Sequence, residues 1–234
     1  MWTIWTRKML KENAMIVMNQ NYWKSVIVTF ALSACYGITS GIQTNFTSII
    51  EIFTTIPLAL SVFALSIYLS MFIAGFILII LVASPLQVGC FKFYMTARTA
   101  PGNMSMMGFA FKHEYFNVVK VQFFRTLYTF LWSLLLIVPG IIKMYEYRMM
   151  PYLLADNPSI TCDEAFARSK AMMTGQKMNA FLLDLSFVGW HLLGALTFGI
   201  LNFFYVLPWH QLAIAELYEV LRCNSTTSVD SSGQ

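Results

Sequence analysis

Charge is what this sequence has least of. Asp, Glu, Lys and Arg together make up 11% of its 234 residues, against about 25% in an ordinary soluble domain. So few charges cannot coat the surface of a water-soluble core, and the deficit is uneven: no Lys or Arg occurs between Lys24 and Lys92. Cysteine is scarce too. Cys35, Cys90, Cys162 and Cys223 stand apart with no C-x-x-C spacing, which argues against a disulfide framework or a cysteine zinc site. Phosphate-cradling glycine loops, a dinucleotide fingerprint and H-E-x-x-H are missing, and Ser169 and Ser186 lack a G-x-S-x-G context. Nothing therefore marks a nucleotide site, a metalloprotease or a serine nucleophile, and no catalytic residue, metal or cofactor is expected.

Basic residues outnumber acidic ones, 15 to 11, for a net charge of +4, yet they form no patch interleaved with aromatics, so nucleic acid is not an expected partner. They sit instead at the ends of apolar runs, where Lys and Arg mark the cytoplasmic side and meet an anionic inner leaflet. Apolar residues are what the chain has in excess, at 58% with a mean hydropathy of +0.63. Runs such as "SVIVTFALSACYGITSGI" and "IPLALSVFALSIYLSMFIAGFILIILVAS" reach the ~18 residues at which a helix spans a bilayer.

These runs predict an all-α integral membrane protein with six crossings, at about 23–41, within 56–84, and at 116–138, 141–155, 178–200 and 202–221. They would form three hairpins joined by short amphipathic interfacial helices, with residues 1–222 as one multi-pass domain, both termini cytoplasmic, and a disordered tail over 223–234. A cationic amphipathic helix is expected over 3–18, with Trp2, Trp5, Met9 and Ile16 set among Arg7, Lys8, Lys11 and Glu12, lying on the inner leaflet. Small residues at every fourth position, Ser33, Gly37 and Gly41 and then Ser66, Ser70 and Ala74, would let the first two crossings pack closely beneath an outside loop at about 42–55. "LSAC" at 32–35 has the form of a lipoprotein cleavage site, but the apolar run continues past Cys35, so that cysteine is read as part of the first helix. The sequon "NFT" at 45–47 has meaning only in a eukaryotic secretory pathway.

Pro85 should end or kink the second crossing, "LQVGCFKFYMTAR" continues as an interfacial helix, and 99–113 reads as a polar loop. Pro139-Gly140 is either a kink in one helix or the turn between two. The polar segment 156–177 belongs inside, which requires a crossing at 141–155 despite Lys143, Glu146 and Arg148. Fifteen residues span only ~22 Å, so that stretch must face protein or water, or be partly re-entrant. "ADNP", ending at Pro158, breaks it. Thr161 and Glu164 then form a capping box for an interfacial helix over 161–175, with Phe166, Ser169 and Met173 on one side and Gly175 as its stop. Pro85, Pro151 and Pro208 each fall in a hairpin's returning half, which hints at a threefold repeat.

Intramembrane ionisable groups are costly unless paired, so Lys143, Glu146, Arg148, Asp184 and Glu216 make the candidate interior polar cluster. Lys143, Arg148, Arg125 and Lys177 are the possible partners of Asp184. His191 and His210 should come near one another, but no acidic third ligand stands at helical spacing, so a metal site is not expected. Trp2, Trp5, Trp23, Trp190 and Trp209 read as interface anchors and packing residues.

The stretch "IVPGIIKMYEYRMMPYLLADNPSITCDEAFARSKAMMTGQKMNAFLLDLSFVGWHLL" resembles the bacterial domain-of-unknown-function 975 family. Pro139-Gly140, Asp156-Asn157-Pro158, the helix carrying Ser169, Gly175 and Lys177, the "LDLSF.GW" run ending at Trp190, and Pro208 carry the likeness, and the N-terminal "RKMLKENA" also fits. The resemblance implies a multi-pass plasma-membrane protein of a kind found mostly in Gram-positive bacteria, with uncharacterised activity. A weaker likeness is to the non-catalytic membrane domain preceding some glycerophosphodiester phosphodiesterases. The expected function is non-enzymatic: binding a membrane component or a membrane-protein partner in envelope maintenance, assembly or bacteriocin immunity, with the N-terminal and 161–175 helices as docking elements. The alternative is a small transporter or channel with an interior polar path around Asp184, Arg148 and Glu146.

Overall fold

A computed structural model describes residues 5–44 and 58–231, and every described element is helical. The sequon at 45–47, Trp2 and the side chain of Cys35 lie outside the described residues. The helices are α1 (Arg7–Gln20), α2 (Tyr22–Thr44), α3 (Leu58–Leu78), α4 (Ser84–Thr96), α5 (Phe109–Lys112), α6 (Tyr115–Leu135), α7 (Ile137–Glu146), α8 (Met150–Asp156), α9 (Cys162–Met173), α10 (Lys177–Leu196) and α11 (Leu207–Ser231). Among the described residues, two segments, Ile73–Thr96 and Lys177–Leu196, are long and apolar enough to cross a membrane, with mean hydropathy 2.2 and 1.3 over their best windows.

The N-terminal helix starts at Arg7 rather than residue 3, because the Thr6 hydroxyl accepts the Met9 N–H at 3.2 Å and caps it. It does not simply lie on a surface. Leu10, Ala14, Val17 and Met18 are buried against the rest of the molecule, chiefly α11, while the expected membrane face turns out: Met9 and Ile16 are exposed. Trp5 Nε1 donates to Gln176 Oε1 at 3.1 Å, and Trp209 Nε1 donates to the Lys11 carbonyl at 3.0 Å. Burial, with Arg7 nearby, pushes the Lys11 ammonium below the usual lysine range.

Helix α4 also departs from the interfacial role expected of it. Pro85, Val88, Gly89, Cys90, Phe91, Phe93 and Tyr94 are all buried, and a helix apolar on every side belongs in a core. It touches α2, α6, α8 and α11, and Phe91, Tyr152 and Tyr218 stack in series across α4, α8 and α11 with centroids 4.5 and 5.3 Å apart. These three helices share a construction. Each has proline as its second residue, and each follows an irregular turn: a π-helical turn over Ile79–Ala83, a break at 147–149, and a π-helical turn over Asn202–Val206. Proline suits a helix's first turn, where its missing N–H has no partner to lose.

Pro139 and Gly140 fall in the first turns of α7. The chain breaks just before, at Leu136, whose backbone is extended (φ −158°, ψ 143°). A Cβ on Gly140 would lie 2.7 Å from the Ser133 Cα, so α6 and α7 run back along each other in close contact and the proline-glycine pair belongs to a turn between two helices. The expected crossing at 141–155 is not one helix, since α7 has ten residues, about 15 Å, and α8 is a separate buried segment.

Two further expectations are corrected. Ser66, Ser70 and Ala74 are exposed, with Ser66 and Ser70 donating to the carbonyls of Phe63 and Ile67, so this row does not seat α3 on a neighbouring described helix. The tail is helical to Ser231 rather than disordered from residue 223. No proline or glycine interrupts the chain between Pro208 and Gly233, and extending an anchored helix costs far less than starting one. Large apolar side chains on α3, α6, α7 and α10 remain exposed, among them Phe63, Leu134, Ile141 and Leu192.

Candidate functional site

Asp184 is the hub of a polar network that joins α7, α10 and α11. The break after α7 leaves Arg148 in a turn, from which its guanidinium donates to both carboxylate oxygens of Asp184, at 2.6 and 2.8 Å. Such two-pronged pairs add geometric specificity to charge. Tyr145 OH donates to Oδ2 at 2.7 Å and His210 Nε2 lies 2.9 Å from Oδ1, so four contacts occupy the carboxylate. Beyond His210 the network continues to His191, whose ring centroid is 5.9 Å away and whose Nδ1 lies 3.0 Å from Asn202 Oδ1. Of the four expected partners of Asp184, Arg148 is the one found; Lys143 and Lys177 belong elsewhere. No cluster of His, Cys, Asp and Glu among the described residues is suited to a metal ion.

The other candidate residues form separate clusters. Glu146 takes Lys143 Nζ at 2.8 Å and Lys177 Nζ at 2.6 Å, and its backbone carbonyl accepts the Ser169 hydroxyl at 2.7 Å. This ties α9 and the start of α10 to the end of α7. Glu216 pairs with Arg98 at 2.6 and 3.0 Å, a contact 118 residues away in sequence. Asp156 accepts from Arg222 at 3.0 Å and Tyr218 at 3.4 Å, and Glu219, paired with both Arg98 and Arg222, joins this cluster to Glu216. Asn157 accepts from the Ser159 N–H and hydroxyl. The Pro158 and Ile160 carbonyls both accept from Asn117, each at 2.8 Å.

Thr161 caps α9 by accepting the Glu164 N–H at 3.3 Å, but Glu164 itself pairs with Arg168 at 2.6 Å. Thr174 follows α9, and Gly175 has φ +75°, which suits a glycine stop. The inner side of α9, with Ala165, Ser169, Met172 and Met173, is buried in the protein. Burial and the neighbouring Asp163 push the Cys162 thiol up. Trp190 is half exposed and packs edge-on to Trp209, which is buried. Pro208 is the second residue of α11, two residues before His210.

A cavity of about 570 Å³ lies beside the Asp184 network, between α4, α6, α7, α8 and α11. Arg125 and Arg148 line it together with Gln87, Gln211, His210 and the hydroxyl side chains of α6, and no carboxylate stands among its described lining residues. Its rim carries Phe130 and Met144, 62% and 51% exposed. Arg125, a candidate partner of Asp184 in the sequence, lines this wall instead. A wider groove between α6, α7 and α9 carries Lys120, Lys143 and Lys170.

Residues 103–225, just over half of the chain, match the family described as "Protein of unknown function (DUF975)". The chain belongs to the DUF975 family. Neither a curated protein nor a solved structure matches it significantly. The stretch matched to DUF975 holds the whole Asp184 network and every cavity wall except α4. The likeness of the N-terminal segment and Arg98, the partner of Glu216, lie outside it.

Proposed function

We propose that this DUF975 protein is a non-enzymatic, multi-pass protein of the bacterial plasma membrane that binds an amphiphilic membrane component in the cavity beside Asp184. The observation that carries the reading is the cavity's two-natured wall: guanidinium, amide and hydroxyl groups at depth, and Phe130 and Met144 at a rim continuous with the exposed apolar surface of α6 and α7. An amphiphile has the same polarity order, and a site that buries both ends gains from each. Support for the membrane setting comes from the two bilayer-length apolar segments and the exposed apolar side chains of α3, α6, α7 and α10. In this reading α2, α3, α6, α7 with α8, α10 and α11 make the crossings, with both termini cytoplasmic.

Two observations favour this over the alternatives. A transport path needs ionisable groups that exchange partners, whereas Asp184 is saturated and Glu146 sits in a different cluster. Docking of a protein partner through α1 and α9 has less surface to use, because Leu10, Ala14, Val17 and Met18 of α1 and Ala165, Ser169, Met172 and Met173 of α9 are buried within the chain.

Thr126 lines the cavity from an exposed position on α6, so Thr126→Trp should fill the site without disturbing the core. Lipid extracted from protein purified in mild detergent is expected to contain a stoichiometric species in the wild type that falls at least about fivefold in the variant, as expected when a bulky side chain occupies a snug site. Equal retention by both proteins would remove the cavity from the account.

A further inference from the structure

Resting on the membrane setting proposed above, we propose a second site, in the groove between α6 and α9. It receives an anionic phospholipid of the inner leaflet, with the phosphate between Lys120 and Lys170 and the acyl chains along α6. The groove holds about 670 Å³ and is lined by α6, the end of α7 and α9. Phe166 of α9 packs edge-on to Tyr128 of α6 and to Tyr147, with ring centroids 5.3 and 4.8 Å away, and so joins its walls. Four ammonium groups gather here, those of Lys120, Lys143, Lys170 and, from the start of α10, Lys177, against the carboxylates of Glu146 and Asp163. Glu146 is taken by Lys143 and Lys177 at 2.8 and 2.6 Å, and Glu164, the next acid on α9, is taken by Arg168. Among the described residues, no carboxylate pairs with Lys120 or Lys170. Lys120 leans towards α9, where its charge acts on the Cys162 thiol against that of Asp163. Asp163 itself stands in the first turn of α9, where backbone N–H groups already favour its charge. The groove keeps an excess of positive charge, and like charges on two walls are relieved by an anion between them.

The surface leading away from Lys120 makes that anion a lipid. Lys120, Phe124, Tyr128, Leu131 and Leu135 recur at intervals of three and four, so they share one face of α6. Tyr128, Leu131 and Leu135 are 45%, 48% and 67% exposed. At 3.6 residues per turn this face points about half a turn away from Thr126, Thr129 and Ser133, which line the Asp184 cavity, so the two sites lie on opposite sides of α6. A cation at one end of an apolar strip has the polarity order of a phospholipid, whereas a soluble phosphate would leave the strip unused. Lysine ammonium groups are compact point charges without the fixed fork of a guanidinium. The groove therefore reads the net charge of the headgroup and not its shape, and the choline cation of phosphatidylcholine meets repulsion there.

The test is native mass spectrometry of delipidated full-length protein in mild detergent at low ionic strength, incubated separately with phosphatidylglycerol, phosphatidylserine and phosphatidylcholine at equal concentrations. A basic residue near an anionic lipid is worth about fivefold, so both anionic lipids should be retained at least about tenfold over phosphatidylcholine, and to similar extents. Lys120→Gln and Lys170→Gln should each cut that preference about fivefold and together bring it near parity, while Lys8→Gln, at a side chain of α1 that is 85% exposed, leaves it unchanged. All three lysines are exposed, so their replacement leaves the packed core untouched. Thr126→Trp, which fills the Asp184 cavity, should keep the preference; its loss there would move the anion to the cavity and overturn the groove assignment while the proposed function stands. Equal retention of all three lipids, a preference that survives the double variant, or an equal fall in Lys8→Gln would overturn it as well. Retention of phosphatidylglycerol but not phosphatidylserine would overturn the reading by net charge, and displacement of the lipid by inorganic phosphate would make the ligand a soluble anion. Retention of no lipid at all would overturn this proposal and the proposed function together.

Discussion

Replacing Asp184 by leucine is expected to abolish most of the folded protein, and replacing it by asparagine to leave a substantial part. Leucine removes the acceptor of Arg148, Tyr145 and His210 at once. It leaves a guanidinium whose side chain is only 17% exposed without its counter-charge. Breaking one side of a buried ion pair costs about 3–5 kcal/mol, a large share of the roughly 5–15 kcal/mol that holds a typical domain together. Asparagine loses the charge but keeps a carbonyl for Tyr145 or Arg148. Fluorescence-detected size exclusion of detergent-solubilised protein reads the outcome: monodisperse Asp184→Leu should fall below about one-tenth of wild type, as a loss of that size implies, with Asp184→Asn clearly above it. Equal yields would mean that Asp184 is not held by the network.

The second large effect comes from a single methyl group. A Cβ at Gly89 would lie 2.0 Å from the Met107 carbonyl oxygen and 2.6 Å from its carbon. Backbone cannot rotate away as a side chain can, so Gly89→Ala must push α4 off the short helical turn over Met104–Gly108. The same substitution at Gly189, in α10, meets nothing within 4 Å. Both glycines are helical, so both gain the same intrinsic preference of about 1 kcal/mol on becoming alanine, and the pair isolates the clash. Overpacking of a core typically costs about 1–3 kcal/mol. Thermal unfolding in detergent should show Tm lowered by roughly 5 °C or more for Gly89→Ala and unchanged or raised for Gly189→Ala. Shifts of one sign and size would contradict the close approach of α4 to the 104–108 turn.

Why some of this was legible in the sequence and some was not follows from the range of the interactions. Signals confined to a few residues read directly: Thr161 as a cap and Gly175 as a stop need only local chemistry, whereas Pro139-Gly140 reads equally as a kink or a turn until the close contact of Gly140 with Ser133 is known. The need for a partner at Asp184 was also legible, because an ionisable group in an apolar run states its own cost. Which partner it would take was not. Arg148 lies 36 residues away and Arg98 lies 118 from Glu216, and no local pattern carries such distances. Helix α1 shows the same limit in another form: Trp5, Met9 and Ile16 advertise an apolar side, but the burial of Leu10, Ala14, Val17 and Met18 depends on α11, which the chain reaches last. The cavity was invisible for the same reason, since Arg125 is a lone basic residue midway along α6 until α4, α8 and α11 are seen to form the other walls.

The most direct measurement is photo-crosslinking in intact cells from a diazirine-bearing residue placed at Phe130, on the cavity rim, with Leu196, on the exposed surface of α10, as reference. The account predicts that position 130 captures one phospholipid class, identified by the added mass on its peptide, while position 196 samples the bulk lipid mixture. Adducts of the same composition at both positions, or a protein rather than a lipid captured at 130, would contradict it.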